Sequence, residues 1–138
     1  MNKKVFIDAN YIISLIVNND KWHKAATEIF DYVDKKEKIT CMSVINESIT
    51  LINKKIGLNA SAKAYEIILD NFIILEENID LYTESMNILI KYHKLSLTDS
   101  IIVELMKKND IIEIISFDSD FDKVDGIIRT HNKNSILE

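Results

Sequence analysis

Short apolar runs ending on polar residues alternate along the chain with longer stretches whose apolar residues recur at helical spacing. Val5-Phe6-Ile7 is the first run, and it ends on Asp8. Ile39-Thr40-Cys41-Met42, Phe72-Ile73-Ile74-Leu75 and Glu113-Ile114-Ile115-Ser116 follow, and Ile127-Ile128-Arg129-Thr130 fits a fifth, edge strand. Length and β-branched content predict strands for all of them. Between them the spacing predicts helices. Tyr11 to Val17 forms a short one, with Asn10 placed as its cap. Trp22, Ala25, Ala26, Ile29, Phe30 and Val33 form one apolar stripe, with Asn19 or Asp20 before it as a cap. Ser43 is expected to cap a helix carrying Val44, Ile45, Ile49 and Ile52, which stops at Lys54-Lys55-Ile56-Gly57. Asn59 starts the next, with Ala62, Tyr65, Ile68 and Leu69 inward. Asn78 opens another, with Ile79, Tyr82, Met86, Leu89 and Ile90 on one face and His93 continuing it, partly buried. Thr98 is expected to cap the last helix, which runs to Asn109.

Strands separated by helices need crossover connections, which are right-handed and give a parallel sheet. The pattern predicts one α/β domain over residues 1–138. It has a central parallel sheet of four to five strands, flanked by helices on both faces. The length suits a single domain with a proper core.

Composition narrows the function. Proline is absent and the two glycines, Gly57 and Gly126, form no phosphate loop or dinucleotide fingerprint. The single cysteine, Cys41, excludes an intrachain disulfide and a cysteine zinc site. No apolar run approaches the ~20 residues of a membrane span, and the N-terminus has no signal-peptide pattern, so a cytoplasmic protein is expected. A net charge of −5 argues against a protein that grips nucleic acid by bulk electrostatics. It leaves room for a nucleic-acid enzyme whose acids gather round metal ions. His23 lies on the polar side of its helix without a His or Cys partner, which suits a surface or capping role.

The acids carry the chemistry. Asp8 follows the first strand, and Glu47 lies one turn into the helix after the second. Asp99 falls in the first turn of the last helix, and Asp118 and Asp120 follow the fourth strand. In a parallel sheet these points face one edge, where ligands of open α/β sheets bind. Converging carboxylates repel and are costly to desolvate. Divalent cations compensate them, and all-oxygen ligation suits Mg²⁺ or Mn²⁺ better than zinc. Taken singly, each acid also has an ordinary reading as a turn, cap or surface residue.

Four segments carry a resemblance: Val5-Phe6-Ile7-Asp8-Ala9-Asn10, Ser43-Val44-Ile45-Asn46-Glu47, Leu95-Ser96-Leu97-Thr98-Asp99-Ser100-Ile101-Ile102 and Ile115-Ser116-Phe117-Asp118-Ser119-Asp120-Phe121-Asp122. In these the chain resembles the PIN-domain ribonucleases of VapC-type toxins, over essentially its whole length. The resemblance implies that Asp8, Glu47 and Asp99 are metal ligands and that Asp118 or Asp120 is the fourth. It implies supporting roles for Asn10, Thr98 and Ser116, and a surface position for Asp122. The implied reaction is Mg²⁺- or Mn²⁺-dependent hydrolysis of RNA, leaving 5′-phosphate and 3′-hydroxyl ends. Implied partners are the RNA substrate, a second copy in a homodimer and a small antitoxin protein. Lys3, Lys4, Lys54, Lys55, Lys107, Lys108 and Arg129 are candidates for contacts to the RNA backbone.

Other readings stay open at this level. A housekeeping RNA-processing PIN nuclease or a non-catalytic PIN-like binding module would share these motifs. A phosphatase with a nucleophilic Asp8 would want a second acid at position 10, where Asn10 stands. A receiver domain would carry its phosphoacceptor after a central strand, preceded by paired acids, and neither feature occurs.

Overall fold

The computed structural model describes residues 3–136, so the outer two positions at each end of the expected 1–138 domain lie outside the described residues. The chain opens with β1 (Lys4–Ile7), α1 (Ala9–Ile16), α2 (His23–Asp34) and β2 (Glu37–Cys41). Then come α3 (Met42–Ile56), α4 (Leu58–Asn71), β3 (Ile73–Leu75), α5 (Ile79–Lys91) and α6 (Leu97–Lys108). β4 (Glu113–Ile115), a 3-10 turn at Ser119–Lys123, β5 (Ile128–Thr130) and a second 3-10 turn at Lys133–Ser135 complete it. This is the single α/β domain read from the pattern, with all five strands parallel in the order β3-β2-β1-β4-β5.

That order explains the layers. The chain steps outward from β1 to β2 to β3, then crosses back to lay β4 on the other side of β1. Right-handed crossovers in opposite directions place their helices on opposite faces. Accordingly α1 packs on α2 and α3, and α3 on α4, while α5 and α6 form a separate pair. The direction reverses between β1 and β4, which makes their carboxyl ends the switch point where such sheets open a crevice. Val5, Phe6, Ile7, Ile114 and Ile115 are fully buried there. Phe6 pairs with Ile114 and Ile7 with Ile115, so the strands end level. The Asp8 amide extends the ladder by donating to the Ile115 carbonyl at 3.1 Å.

Several helix starts differ from expectation by a residue or two. Asp8, not Asn10, is the cap of α1; its Oδ1 accepts the Ala9 amide at 2.8 Å. Trp22 precedes α2 without a side-chain cap, while Asp20 Oδ1 takes the Trp22 amide at 2.9 Å. Cys41 precedes α3, which places Ser43 inside the first turn. Ser96, not Thr98, caps α6 by accepting the Asp99 amide at 3.1 Å. In each of the last two cases the helix begins one residue after the strand or loop ends, leaving no room for the later polar residue to stay outside it. Asn78 does cap α5, accepting the Leu81 amide at 2.9 Å. Gly57, at φ +98°, joins α3 to α4 in a conformation that side-chain-bearing residues rarely adopt.

Two inward faces were misplaced. On α4 the buried residues are Ser61, Ala64 and Ile68, with Tyr65 and Leu69 exposed. On α5 they are Leu81, Ser85 and Ile88, with Ile79, Tyr82, Met86 and Ile90 exposed. Both helices carry apolar residues on two faces, and periodicity alone chose the one richer in large side chains. His93 is exposed beyond the end of α5, not partly buried. His23 is structural, its ring Nδ1 lying 2.7 Å from the Ser14 carbonyl.

Candidate active site

Asp8 is the centre of the site. It ends β1 with 6% of its surface exposed. Ser116, directly after β4, donates its hydroxyl to Asp8 Oδ2 at 2.7 Å. Asn10 is the second residue of α1, within its first turn, and its side chain reaches the same edge. Its Nδ2 lies 3.4 Å from Asp8 Oδ2 and 3.2 Å from Ser116 Oγ, while its Oδ1 accepts the Phe117 amide at 3.0 Å. The Asp118 amide also donates to Ser116 Oγ, at 3.1 Å. Ser116 therefore ties Asp8, Asn10 and Asp118 together across the switch point. The Phe117 ring stacks on Trp22, centroids 5.1 Å apart and planes 6° from parallel. That stack pins the turn after β4 to the segment between α1 and α2.

The other acids approach from three further elements. Glu47, on α3, is exposed by surface area, yet its carboxyl is pushed above the ordinary range by partial desolvation. Asp99, on the first turn of α6 with Thr98 half-buried beside it, rises to about 7 through burial first and then through the charges of Asp8 and Asp118. Asp8 rises to about 6, chiefly by burial, with Ser116 and the Ala9 amide opposing and Glu47 and Asp118 adding to the rise. Asp8, Glu47, Asp99 and Asp118 thus form one electrostatic group. Asp120 lies two residues beyond Asp118. Its amide donates to Asp118 Oδ1 at 2.9 Å, closing the 3-10 turn, and its side chain lines a cavity with Lys91, Lys94 and Lys123.

The donor set fits a hard divalent cation in chemistry, being all oxygen and carrying negative charge that raises its own pKa values. Among the described residues no three His, Cys, Asp or Glu side chains yet form a group that could hold a metal ion as they stand. The acids influence one another's charge across this edge without closing a cage.

Sequence reasoning missed two acids. Glu77, just after β3, accepts the Ser43 amide and hydroxyl, both at 2.6 Å, and the Tyr82 hydroxyl at 2.9 Å. It serves α3 as a cap from another element, and those hydrogen bonds hold its carboxyl below the usual range against the opposing effect of burial. Only the pairing of β2 with β3 brings it there, so no local signal announced it. Glu113 is fully buried and accepts from the Tyr32 and Thr130 hydroxyls, at 2.9 and 2.7 Å from Oε2. Its place inside an apolar strand was the available signal. Of the basic residues expected near RNA, Arg129 forks onto Asp122 at 2.9 and 3.0 Å, and Lys108 pairs with Glu84 at 2.6 Å.

An open parallel α/β domain with carboxylates gathered at the switch point defines a class of acid-centred α/β proteins. The PIN domain family model matches residues 5–127, and the chain belongs to that family. No curated protein matches it by sequence. Among solved structures it is similar to the Mycobacterium tuberculosis toxin VapC20, described as cleaving the sarcin-ricin loop. That match has 23% identity and a TM-score of 0.77, covering 86% of this chain and 92% of that one. A toxin–antitoxin complex from Klebsiella pneumoniae matches at 19% identity and TM-score 0.70, covering 90% and 95%. VapBC2 from Rickettsia felis, bound to a DNA fragment from its promoter, matches at 12% and 0.69, covering 92% and 97%. No described helix is long and apolar enough to cross a membrane.

Proposed function

We propose that this PIN-domain chain is a metal-dependent endoribonuclease and the toxin of a toxin–antitoxin pair. The observation that carries the reading is the electrostatic group itself. Asp8 and Asp99, on different elements, are both pushed toward neutral pH, with acids of the same edge contributing to each rise. An arrangement so costly to charge suits a bound cation. Asp8, Glu47, Asp99 and Asp118 would hold Mg²⁺ or Mn²⁺. Such an ion supplies Lewis acidity and eases deprotonation of a water molecule beside the phosphate. Ser116 and Asn10 fix Asp8 and the turn bearing Asp118, so two of the acids keep their places while charge develops. Asp120 would line the neighbouring lysine cavity and not hold the ion.

The phosphatase reading is disfavoured at position 10. Asn10 is an amide whose oxygen is already committed to the Phe117 amide, so it cannot serve as a second acid. The toxin role is supported by the likeness to toxin–antitoxin structures. An antitoxin partner has an apolar seat available, a cavity of about 300 Å³ walled by Leu15, Ile16, Phe30, Ile67 and Phe72 between α1, α2 and α4. A homodimer is supported by the exposed row Ile79, Met86 and Ile90 on α5, at 79, 43 and 63% exposure.

The test is cleavage of a panel of RNAs by purified protein in Mg²⁺, Mn²⁺ or EDTA, with the product ends determined. Metal-dependent cleavage leaving 5′-phosphate and 3′-hydroxyl ends is expected, lost in Asp99→Asn. Full activity in that variant, with purity controlled, would sink the assignment.

A further inference from the structure

The protein is acidic overall, yet one cavity beside the carboxylates is basic. Lys91, Tyr92, His93, Lys94, Leu95, Asp120 and Lys123 line about 180 Å³. Its walls come from two segments. One is the connection after α5, which continues through Ser96 into Asp99. The other is the 3-10 turn that Asp118 opens. Both segments of the cavity therefore lead directly into members of the acidic group. Lys91, Lys94 and Lys123 are exposed, and among the described residues none forms an ion pair. Lys91 lies over the Tyr92 ring, 5.2 Å from its centroid, and the Tyr92 hydroxyl accepts the Asp125 amide at 3.3 Å. The aromatic ring so anchored forms part of the cavity's lining. The lining carries three lysines against one carboxylate, Asp120.

We infer that this cavity binds a backbone phosphate of the RNA strand next to the one being cleaved. The inference rests on the ribonuclease reading and extends it, because it says where the strand runs. It passes from the acidic group toward the end of α5, and not over the lysines at the end of α3. A small basic cavity suits a phosphate, whereas the acidic group alone would repel the strand.

The experiment compares wild type with the triple variant Lys91→Gln/Lys94→Gln/Lys123→Gln. A control triple carries the same charge change on exposed positions outside the cavity, Lys24→Gln/Lys35→Gln/Lys63→Gln. Binding of a fluorescent single-stranded RNA is followed by anisotropy in Ca²⁺ across a salt series, and cleavage kinetics are measured in Mg²⁺ and Mn²⁺. The cavity variant should bind on the order of tenfold more weakly at low salt, with a salt slope reduced by about 0.7 for the one phosphate lost. Its KM should rise while kcat stays within about twofold, as for loss of binding shared by ground and transition states. The control should bind as wild type does. If wild type cleaves RNA but the cavity variant matches it, or the control weakens equally, the subsite is wrong and the ribonuclease reading stands. If wild type neither binds nor cleaves any RNA of the panel, the ribonuclease reading fails and this inference with it.

Discussion

Replacing Asp8 by Asn should stabilise the metal-free protein at pH 7.5 while abolishing cleavage. Burial raises the Asp8 carboxyl from 3.8 to about 6. At pH 7.5 the charged form therefore costs the folded state about 3 kcal/mol, at 1.36 kcal/mol per pKa unit. Asn removes that cost but not the site's hydrogen-bonding demands. Its oxygen can still take the Ala9 amide, but an Nδ2 facing Ser116 and the Asn10 amide puts donor against donor. That mismatch costs about 1–2 kcal/mol. The net gain is about 1–2 kcal/mol, a few degrees in Tm for a chain of this size. The sign with pH follows from linkage. Because the folded pKa is raised, the folded state binds more protons than the unfolded between pH 3.8 and about 6, and wild type regains stability as pH falls. The advantage of Asp8→Asn should shrink from pH 7.5 toward pH 4 and then reverse. Urea denaturation at pH 7.5, 6, 5 and 4 without metal reads this directly, and Mg²⁺ or Mn²⁺ should raise the Tm of wild type only. A variant less stable than wild type at pH 7.5 by 2 kcal/mol or more would refute the view of Asp8 as a carboxylate held against its own solvation.

Other perturbations separate the remaining roles. Asp118→Asn should lose metal-dependent cleavage, whereas Asp120→Asn should keep it and bind RNA more tightly, as rates and anisotropy will show. Ser116→Ala removes a hydrogen bond that lowers the Asp8 pKa. Metal affinity or activity should fall by about 10–100-fold, and the midpoint of metal binding with pH should move upward, which a purely structural role would not cause. In wild type, protons compete with the cation, so calorimetric Mn²⁺ binding should weaken as pH falls through about 7 and then about 6, the positions of Asp99 and Asp8. Glu77→Gln should destabilise by about 1–3 kcal/mol. The depressed pKa of Glu77 means this contribution is present above the ordinary carboxyl value of 4.5 and is lost as pH falls through the lower folded value. Denaturation of the pair at pH 7 and pH 3 checks both halves.

The strands and the order of elements were legible because buried parallel strands read as unbroken apolar runs. Val5-Phe6-Ile7 and Ile114-Ile115 could hardly be anything else. The acids were legible for a related reason, since a charged residue at the end of such a run stands out. What was not legible depends on distance in space. Nothing near Glu77 says that its carboxylate will reach Ser43 in another element. Nothing near Tyr32 says that its hydroxyl will meet Glu113, 81 positions away. The inward faces of α4 and α5 failed for a third reason. Small buried residues such as Ser61, Ala64 and Ser85 carry the helix contacts, and a hydrophobic stripe is blind to them.

Asp118 and Asp120 show how the fold separates adjacent acids. Both follow β4, two residues apart, and the sequence pattern treats them alike. Asp118 comes first, so its amide is held by Ser116 Oγ and its carboxylate stays with Asp8 and Asp99. Asp120 comes after the chain has begun its 3-10 turn, and that turn carries its side chain round toward the lysines. The cap that Asp118 Oδ1 gives to the Asp120 amide makes the two positions interdependent, since it fixes the turn that separates them. A further shift of the turn would bring Asp120 to the acidic group and remove the one carboxylate in the basic cavity. The same few residues thus set the charge of the site and of the surface beside it. Carboxylates and lysines lie next to each other, which is the arrangement that the proposed hydrolysis of a polyanion at a carboxylate-rich centre would require.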